Sequence, residues 1–403
     1  MKKSQIANNP KKSSFIEFVA LMAIMTSLVA FTIDSILPGL SLIGDDLKVI
    51  NPNTNHLLLS MVFLGLSIGQ LLAGPFSDIY GRKAVVYFGL GLYVIGTTLS
   101  FFSQSFTVMI IGRLLQGLGL GGPRIASIAM IRDQYSGNAM ARVMSFVMVV
   151  FIFIPAVAPY AGQGIMSMGS WRTIFLSYLI YAFLLLIWFH FRQEETLPVE
   201  RRTAFSMNEI MKAVKYIFKN KITMGYTLAS GFISGAFLGY LNLSEQIFAK
   251  HYNLGELFPR YFALLAIGLG LASFLNGRMV MKLGMTFLAK WSVAALFIWS
   301  AAFTAYDFFT PEGPSLELFL VFLLVALFFI GILFGNMKSL SMEPLGHIAG
   351  VGAAVVSAMS TLAAVPYSIL IGQYYNDSVF PLMVGFTVCS LVAGLIMVWT
   401  RTK

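Results

Sequence analysis

Apolar segments long enough to cross a lipid bilayer recur twelve times along this chain, and no soluble fold can bury that many. A spanning helix needs about 20 mostly apolar residues, since backbone groups find no water inside the hydrocarbon. Hydropathy, with Gly, Pro and charge as punctuation, predicts spans at 15–42, 56–77, 83–103, 106–132, 139–166, 171–191, 221–249, 259–278, 288–308, 315–340, 349–375 and 379–400. The thinnest division is Ser103–Ser105. Composition agrees: 58% of the 403 residues are hydrophobic and 11% are charged, against roughly 25% charged in a soluble domain. The lysines before residue 15 resemble the start of a signal peptide. The apolar run to Leu42 is too long for one, so a retained first span is expected.

Charge orients the spans. The formal net charge is +10, but the cations lie between apolar segments, which points to topology and not to nucleic acid. With the N-terminus in the cytoplasm, twenty-one of the 27 Lys and Arg residues fall on the cytoplasmic side, Lys338 among them. Four, Lys48, Arg172, Lys250 and Arg260, fall outside, and Arg113 and Arg124 lie within span four. A wrong span count would scramble that bias. The expectation is an all-α, multi-pass protein of the cell inner membrane, with both termini cytoplasmic.

The longest polar stretch divides the chain in two. Residues 1–191 are expected to form one six-helix bundle and 221–403 another, joined by a cytoplasmic linker at 192–220. Within the linker, Met207, Ile210, Met211, Val214, Ile217 and Phe218 share one helical face. That predicts a basic amphipathic helix along the inner leaflet, or a tether between bundles. The halves echo each other at Gly74–Lys83 and Gly277–Gly284. A repeat of six and six around a central cavity is a transporter architecture.

Several chemistries are excluded. The single cysteine, Cys389, allows no intrachain disulfide. His56, His190, His251 and His347 lack ligand spacing, so no metal centre is expected. Gly117, Gly119, Gly121 and Gly122 are not a nucleotide loop, because no strand or Lys-Ser/Thr accompanies them; they suit close helix packing. With no nucleophile motif and no sizeable soluble domain, an enzyme or receptor is not indicated. An ATP-driven pump would need a separate ATPase subunit.

The strongest local motif is Gly74-Pro75-Phe76-Ser77-Asp78-Ile79-Tyr80-Gly81-Arg82-Lys83. Gly74 permits close helix approach and Gly81 a tight turn. Asp78 suits a helix N-terminus, and Arg82 and Lys83 could pair with acids at other helix ends. This resembles the major facilitator superfamily's motif between helices two and three. Arg113-Leu114-Leu115-Gln116-Gly117 is similar to its Arg-containing motif, with Ile131-Arg132-Asp133 ending span four. Pro155, Pro159 and Gly162 resemble the motif of its exporters, with the second glycine pair eroded to Gln163-Gly164. Asp34-Ser35-Ile36-Leu37-Pro38, Gly169-Ser170-Trp171-Arg172 and Met342 to Gly350 resemble the Bcr/CflA-type drug:proton antiporters. The resemblance implies that Arg82 pairs with Asp133 and that Asp78 faces span eleven near Ala349–Gly350, as a conformational switch. It also ties a span-one acid to proton coupling and cationic substrates.

Asp34 is such an acid. A carboxylate inside a span needs a partner or water. At 1.5 Å per residue, Asp34 lies about 28 Å above Phe15 and Arg113 about 20 Å above the inner face, so the two are expected to pair, or Asp34 to hold a proton. Arg124 follows Arg113 by about three full turns and shares its face. It either reaches the cytoplasmic interface or faces the cavity, where it would favour anionic or zwitterionic substrates. Glu245 is expected at the outer interface, solvated, with a lesser claim on coupling. Phe31, Met61, Gln116, Tyr160, Phe237, Tyr240 and Tyr367 are candidates for a pocket wall, and Pro155, Pro159 and Pro366 for bending spans five and eleven.

The whole predicts a monomeric secondary transporter, an antiporter that exports drugs or other small organic molecules. It would use a proton gradient and no cofactor. Its partners would be substrate, protons and lipid. The alternative is proton-coupled movement of an anionic or zwitterionic metabolite on the same fold.

Overall fold

Polar caps and tight turns cut the apolar sequence into rods. The computed structural model describes residues 14–202, 207–310 and 312–400, which hold twelve helices long and apolar enough to span a membrane. In chain order the helices are α1 (Phe15–Asp34), α2 (Leu40–Asp46), α3 (Leu57–Tyr80), α4 (Arg82–Phe101), α5 (Phe106–Gln134), α6 (Gly137–Met166), α7 (Arg172–Arg192), α8 (Met207–Lys219), α9 (Lys221–Glu245), α10 (Phe258–Leu283), α11 (Met285–Phe309), α12 (Leu316–Met342), α13 (Ala349–Gln373) and α14 (Phe380–Trp399). Ser14, Ser105, Asn220 and Ser315 cap α1, α5, α9 and α12 by accepting from backbone amides three residues on. Each cap satisfies one of the orphan donors that begin a helix. The expected echo between halves is visible in the backbone. Gly81 between α3 and α4 and Gly284 between α10 and α11 have φ of +99° and +79°, a conformation glycine adopts without strain.

Helices α1 to α7 form one six-span bundle and α9 to α14 the other. Glycines set the closest approaches in the first. Gly117 and Gly121 of α5 face the α3 backbone at Val62 and Gly69, while Gly119 and Gly122 face α4 at Tyr93, Gly89 and Val85. A Cβ at any of these would meet backbone atoms that cannot swing aside. Between bundles, α3 packs on α13 and α6 on α10. Pro155, Pro159 and Pro366 lie inside continuous helices, as do Pro75 and Pro123.

Two expectations need correction. Span one is not a single helix from 15 to 42. Regular α-structure stops at Asp34, a 3-10 turn follows at Leu37–Gly39, and α2 restarts at Leu40. Pro38 has no amide hydrogen to donate, so the ladder breaks there. The amphipathic linker helix exists as α8, but its Ile217 is buried against Leu345, Val355 and Val356 of the second bundle. Met211 and Phe218 remain exposed, and the side chains of residues 207–210 lie outside the described residues.

Candidate functional site

The bundle surfaces meet along the axis of the molecule, and its two ends differ. Call the end where α1 begins and α14 finishes the terminal face, and its opposite the far face. Every hydrogen bond between the bundles, among the described residues, lies in the far half. Ser41 Oγ donates to Glu245 Oε2 at 2.8 Å. Gln246 donates to the Pro52 carbonyl at 3.2 Å. Asn53 donates to the carbonyls of Tyr375 at 2.7 Å and Gln373 at 3.2 Å. Gln163 donates to the Glu256 carbonyl at 3.2 Å, and Asn242 to Ser60 Oγ at 3.3 Å. The far face is therefore laced shut. The contact noted in the terminal half is apolar: Gly74 lies beside the Ala354 methyl.

Glu245 belongs to that lacing. It was expected at a solvated interface, yet it is 6% exposed and takes its hydrogen bond from the other bundle. Distance from Lys221 correctly put it near the end of its span, but the α1–α2 break folds Ser41 over it, which helix counting could not reveal.

At the end of α1 the expected Asp34–Arg113 pair is absent. The Arg113 guanidinium is fully buried and donates to the Leu58 carbonyl at 2.9 Å, to Gln116 Oε1 at 2.8 Å and to the Thr32 carbonyl at 3.3 Å. It also lies over the Phe175 ring. Tyr178 donates to the Thr32 carbonyl at 3.1 Å. The carbonyl near the helix break thus finds two side-chain donors, as buried backbone in a membrane requires. Arg113 is a clamp on the break. Gln116 is committed too, because its amide donates to Thr97 at 2.8 Å while its oxygen serves Arg113. It is not free to line a pocket.

Asp34 is left alone. It is 4% exposed, and among the described residues no hydrogen bond or ion pair reaches its carboxylate. Tyr178 of its own bundle and Tyr240 of the other lie within reach of its charge. The Tyr240 hydroxyl is buried and without a hydrogen-bond partner among the described residues. An unpartnered acid and an unpartnered hydroxyl thus stand near each other, one from each bundle.

The other candidate wall residues divide. Phe31 stacks on Tyr181, centroids 5.6 Å apart, and meets Tyr178 edge-on. Phe237 meets Phe334 edge-on at 5.5 Å and Tyr240 at 6.2 Å, Tyr240 stacks on Phe262, and Tyr367 stacks on Phe232 at 4.1 Å. Met61 is half-buried and Tyr160 is exposed on α6. Two grooves of about 600 and 400 Å³ lie elsewhere. One runs between α11 and α14 and the other between α11 and α12. Both have mainly apolar linings and suit lipid chains.

At the terminal face, Arg82 Nε donates to Asp133 Oδ2 at 2.9 Å, the partner that the resemblance implied. Arg82 also donates to Asp78 at 2.5 Å. Among the described residues no Asp78 hydrogen bond to α13 is present, and the side chains of Ala349 and Gly350 lie outside them. Lys83 was expected to meet an acid, but its Nζ donates to the Gln193 carbonyl at 2.6 Å, at the end of α7. A cation there offsets that helix's dipole. The residue missed by sequence reading is Glu195. Its carboxylate accepts from the backbone amides of Arg82 and Lys83, both at 3.0 Å, and from those of Thr196 and Leu197. It caps α4 from the linker, more than a hundred residues away in sequence, so no local pattern signals it.

With this geometry in view, comparison with known proteins decides the family. The major facilitator superfamily model matches residues 21–368. The chain belongs to the major facilitator superfamily. A bicyclomycin resistance protein homolog of Haemophilus influenzae is 26% identical over 400 residues, covering 96% of each chain. The multidrug resistance protein MdtL of Escherichia coli O157:H7 is 24% identical over 370 residues, covering 91% of each. Among solved structures, a D-xylose-proton symporter shares the fold with a TM-score of 0.78 at 15% identity, over 97% of this chain and 98% of that one. This facilitator is thus a multi-pass membrane transporter and not an enzyme.

Proposed function

We propose that this facilitator is a proton-coupled antiporter that exports small organic molecules by alternating access. The observation that carries the reading is Asp34. An ionised carboxylate in a membrane interior needs a partner, and Arg113 is spent on carbonyls. The acid must then take a proton, a cationic group of substrate, or the Tyr240 hydroxyl of the facing bundle. Those options compete, so binding of substrate and binding of a proton exclude one another, which is the condition for exchange. The export direction is supported by the drug-resistance relatives.

The positive charge bias puts the terminal face in the cytoplasm. The laced far face then closes the periplasmic side, and the conformation is inward-facing. Separation of Asn53 from Tyr375 and of Ser41 from Glu245 would open it outward. The Arg82–Asp133–Asp78 cluster and its Glu195 cap would hold the cytoplasmic corner of the first bundle as a rigid body through that motion.

Everted vesicles test the reading. With a proton gradient imposed, substrate addition should dissipate it, and Asp34→Asn should remove the response while inserting normally. Dissipation by the Asn variant equal to that of the native chain would refute the assignment to Asp34.

A further inference from the structure

Two cations, one from each bundle, lie within reach of each other's charge, and among the described residues neither pairs with an acid. Arg124 is the first. Looking down α5 at about 100° per residue, Gly117 and Gly121 turn to α3 and Ser127 turns to α1, bonded to Thr26 at 3.3 Å. Arg124 lies between those directions, so it points out of its bundle between α1 and α3. Lys338 is the second. Gly331 of α12 faces Leu269 and Ala272 of α10, and Phe334 packs on Phe237 of α9. Lys338 returns to the Gly331 face after seven residues, so it points between α10 and α9.

Those are corresponding positions in the two halves. α1 and α3 open the first bundle as α9 and α10 open the second. Counted from the far ends of α5 and α12, the two cations differ in depth by four residues, about 6 Å. Lys338 lies within reach of the charge on Arg124. Arg124 is half-buried and Lys338 is exposed. By that phase Lys338, which charge counting placed on the cytoplasmic side, turns toward α9 and α10.

Among the described residues neither side chain makes an ion pair, and no hydrogen bond from either guanidinium or ammonium is present. The bordering helices α6, α10 and α13 contain no Asp or Glu, nor do residues 18–33 of α1, 57–77 of α3 or 221–244 of α9. Like charges in a low-dielectric interior disfavour one another, and a buried charge is costly unless paired.

We propose that Arg124 and Lys338 together bind the carboxylate of a small organic acid or zwitterion in the central cavity. The planar guanidinium offers a fork that matches a carboxylate, and the ammonium a mobile point charge. Because one cation comes from each bundle, a bridging anion replaces their repulsion by attraction and draws the terminal ends together. The inference deepens the transport reading and rests on it: a zwitterionic cargo has its carboxylate held here while its cationic group competes with the proton at Asp34.

The test uses the purified full chain in detergent, with citrate, benzoate and 4-aminosalicylate as probes at fixed ionic strength. Without ligand, Lys338→Gln should melt at a higher temperature than the native chain, because the repulsion is gone. At least one probe should raise the native melting temperature saturably, with apparent affinity at least tenfold weaker in Arg124→Gln and in Lys338→Gln and retained in Lys338→Arg. No difference between the native chain and the Gln variants for any probe overturns the proposal. So does stabilisation by phosphatidylglycerol micelles with none by soluble acids, which would assign the cations to a lipid headgroup. Proton-coupled efflux that survives both Gln variants unchanged would also overturn it, while leaving the Asp34 reading intact. Loss of coupling in Asp34→Asn with acid binding unchanged keeps the two apart.

Discussion

Arg113 donates to the carbonyl of Thr32 at 3.3 Å, two residues before α1 ends, and not to the Asp34 carboxylate. The strongest buried cation of the first bundle therefore serves the backbone. Arg113→Gln should leave the buried Gln116 Oε1 without its donor and the carbonyls of Leu58 and Thr32 with one donor fewer each. Each buried unsatisfied group costs about 1–3 kcal/mol. The expected outcome is a lower melting temperature and poor yield of inserted protein, with Arg113→Lys recovering only part. If Arg113→Gln folded as the native chain does and lost only coupling, the clamp reading would fail.

Ser41→Ala removes the hydroxyl that bridges to Glu245. The lost hydrogen bond is worth about 1–3 kcal/mol in a buried site, which shifts a two-state equilibrium by roughly 5- to 150-fold. The far face should open more often. A single cysteine placed at Asn53 should react faster with a membrane-impermeant maleimide in the Ser41→Ala background than alone. Glu245→Gln, which keeps the size and one acceptor, should have the smaller effect.

Glu195→Ala strips the cap from α4 and leaves the Arg82 and Lys83 amides unpaired. Loss of a helix cap costs typically about 1 kcal/mol. Protease sensitivity of residues 192–202 should rise, and the melting temperature should fall modestly. Glu195→Gln should rescue most of it, because one amide oxygen can still accept.

Gly121→Leu should be the most damaging single change at the α3–α5 contact. Its side chain would have to occupy the position of the Gly69 backbone, and overpacking of this kind costs typically about 1–3 kcal/mol or more. Gly164→Leu is the control, since open space surrounds that glycine. Thermal stability measured by fluorescence should fall sharply for the first and hold for the second.

Much of the fold was legible because span formation is a local property. Twenty apolar residues, a Ser or Asn cap and a glycine at positive φ act within one segment, so predicted and observed span boundaries agree closely from α3 to α14. The exception is span one, where Pro38 was read as part of a continuous helix and in fact ends it. The site was less legible. Asp34 and Arg113 were recognised as buried, but depth counting treated each helix as straight and gave no rotation. Glu195 carried no local signal, because it caps a helix remote in sequence.

By itself, then, the sequence determined the number and order of the spans, the charge bias between the two faces and the glycine turns that repeat between halves. These depend on free energies of transfer and on backbone sterics that each segment carries alone. Only the tertiary structure decided that Arg113 clamps carbonyls, that Asp34 stands unpartnered near Tyr240, and that Glu245 is laced to Ser41. Each of those depends on how far a helix is rotated and where it breaks. Those are settled by glycine contacts and backbone hydrogen bonds between segments far apart in the chain.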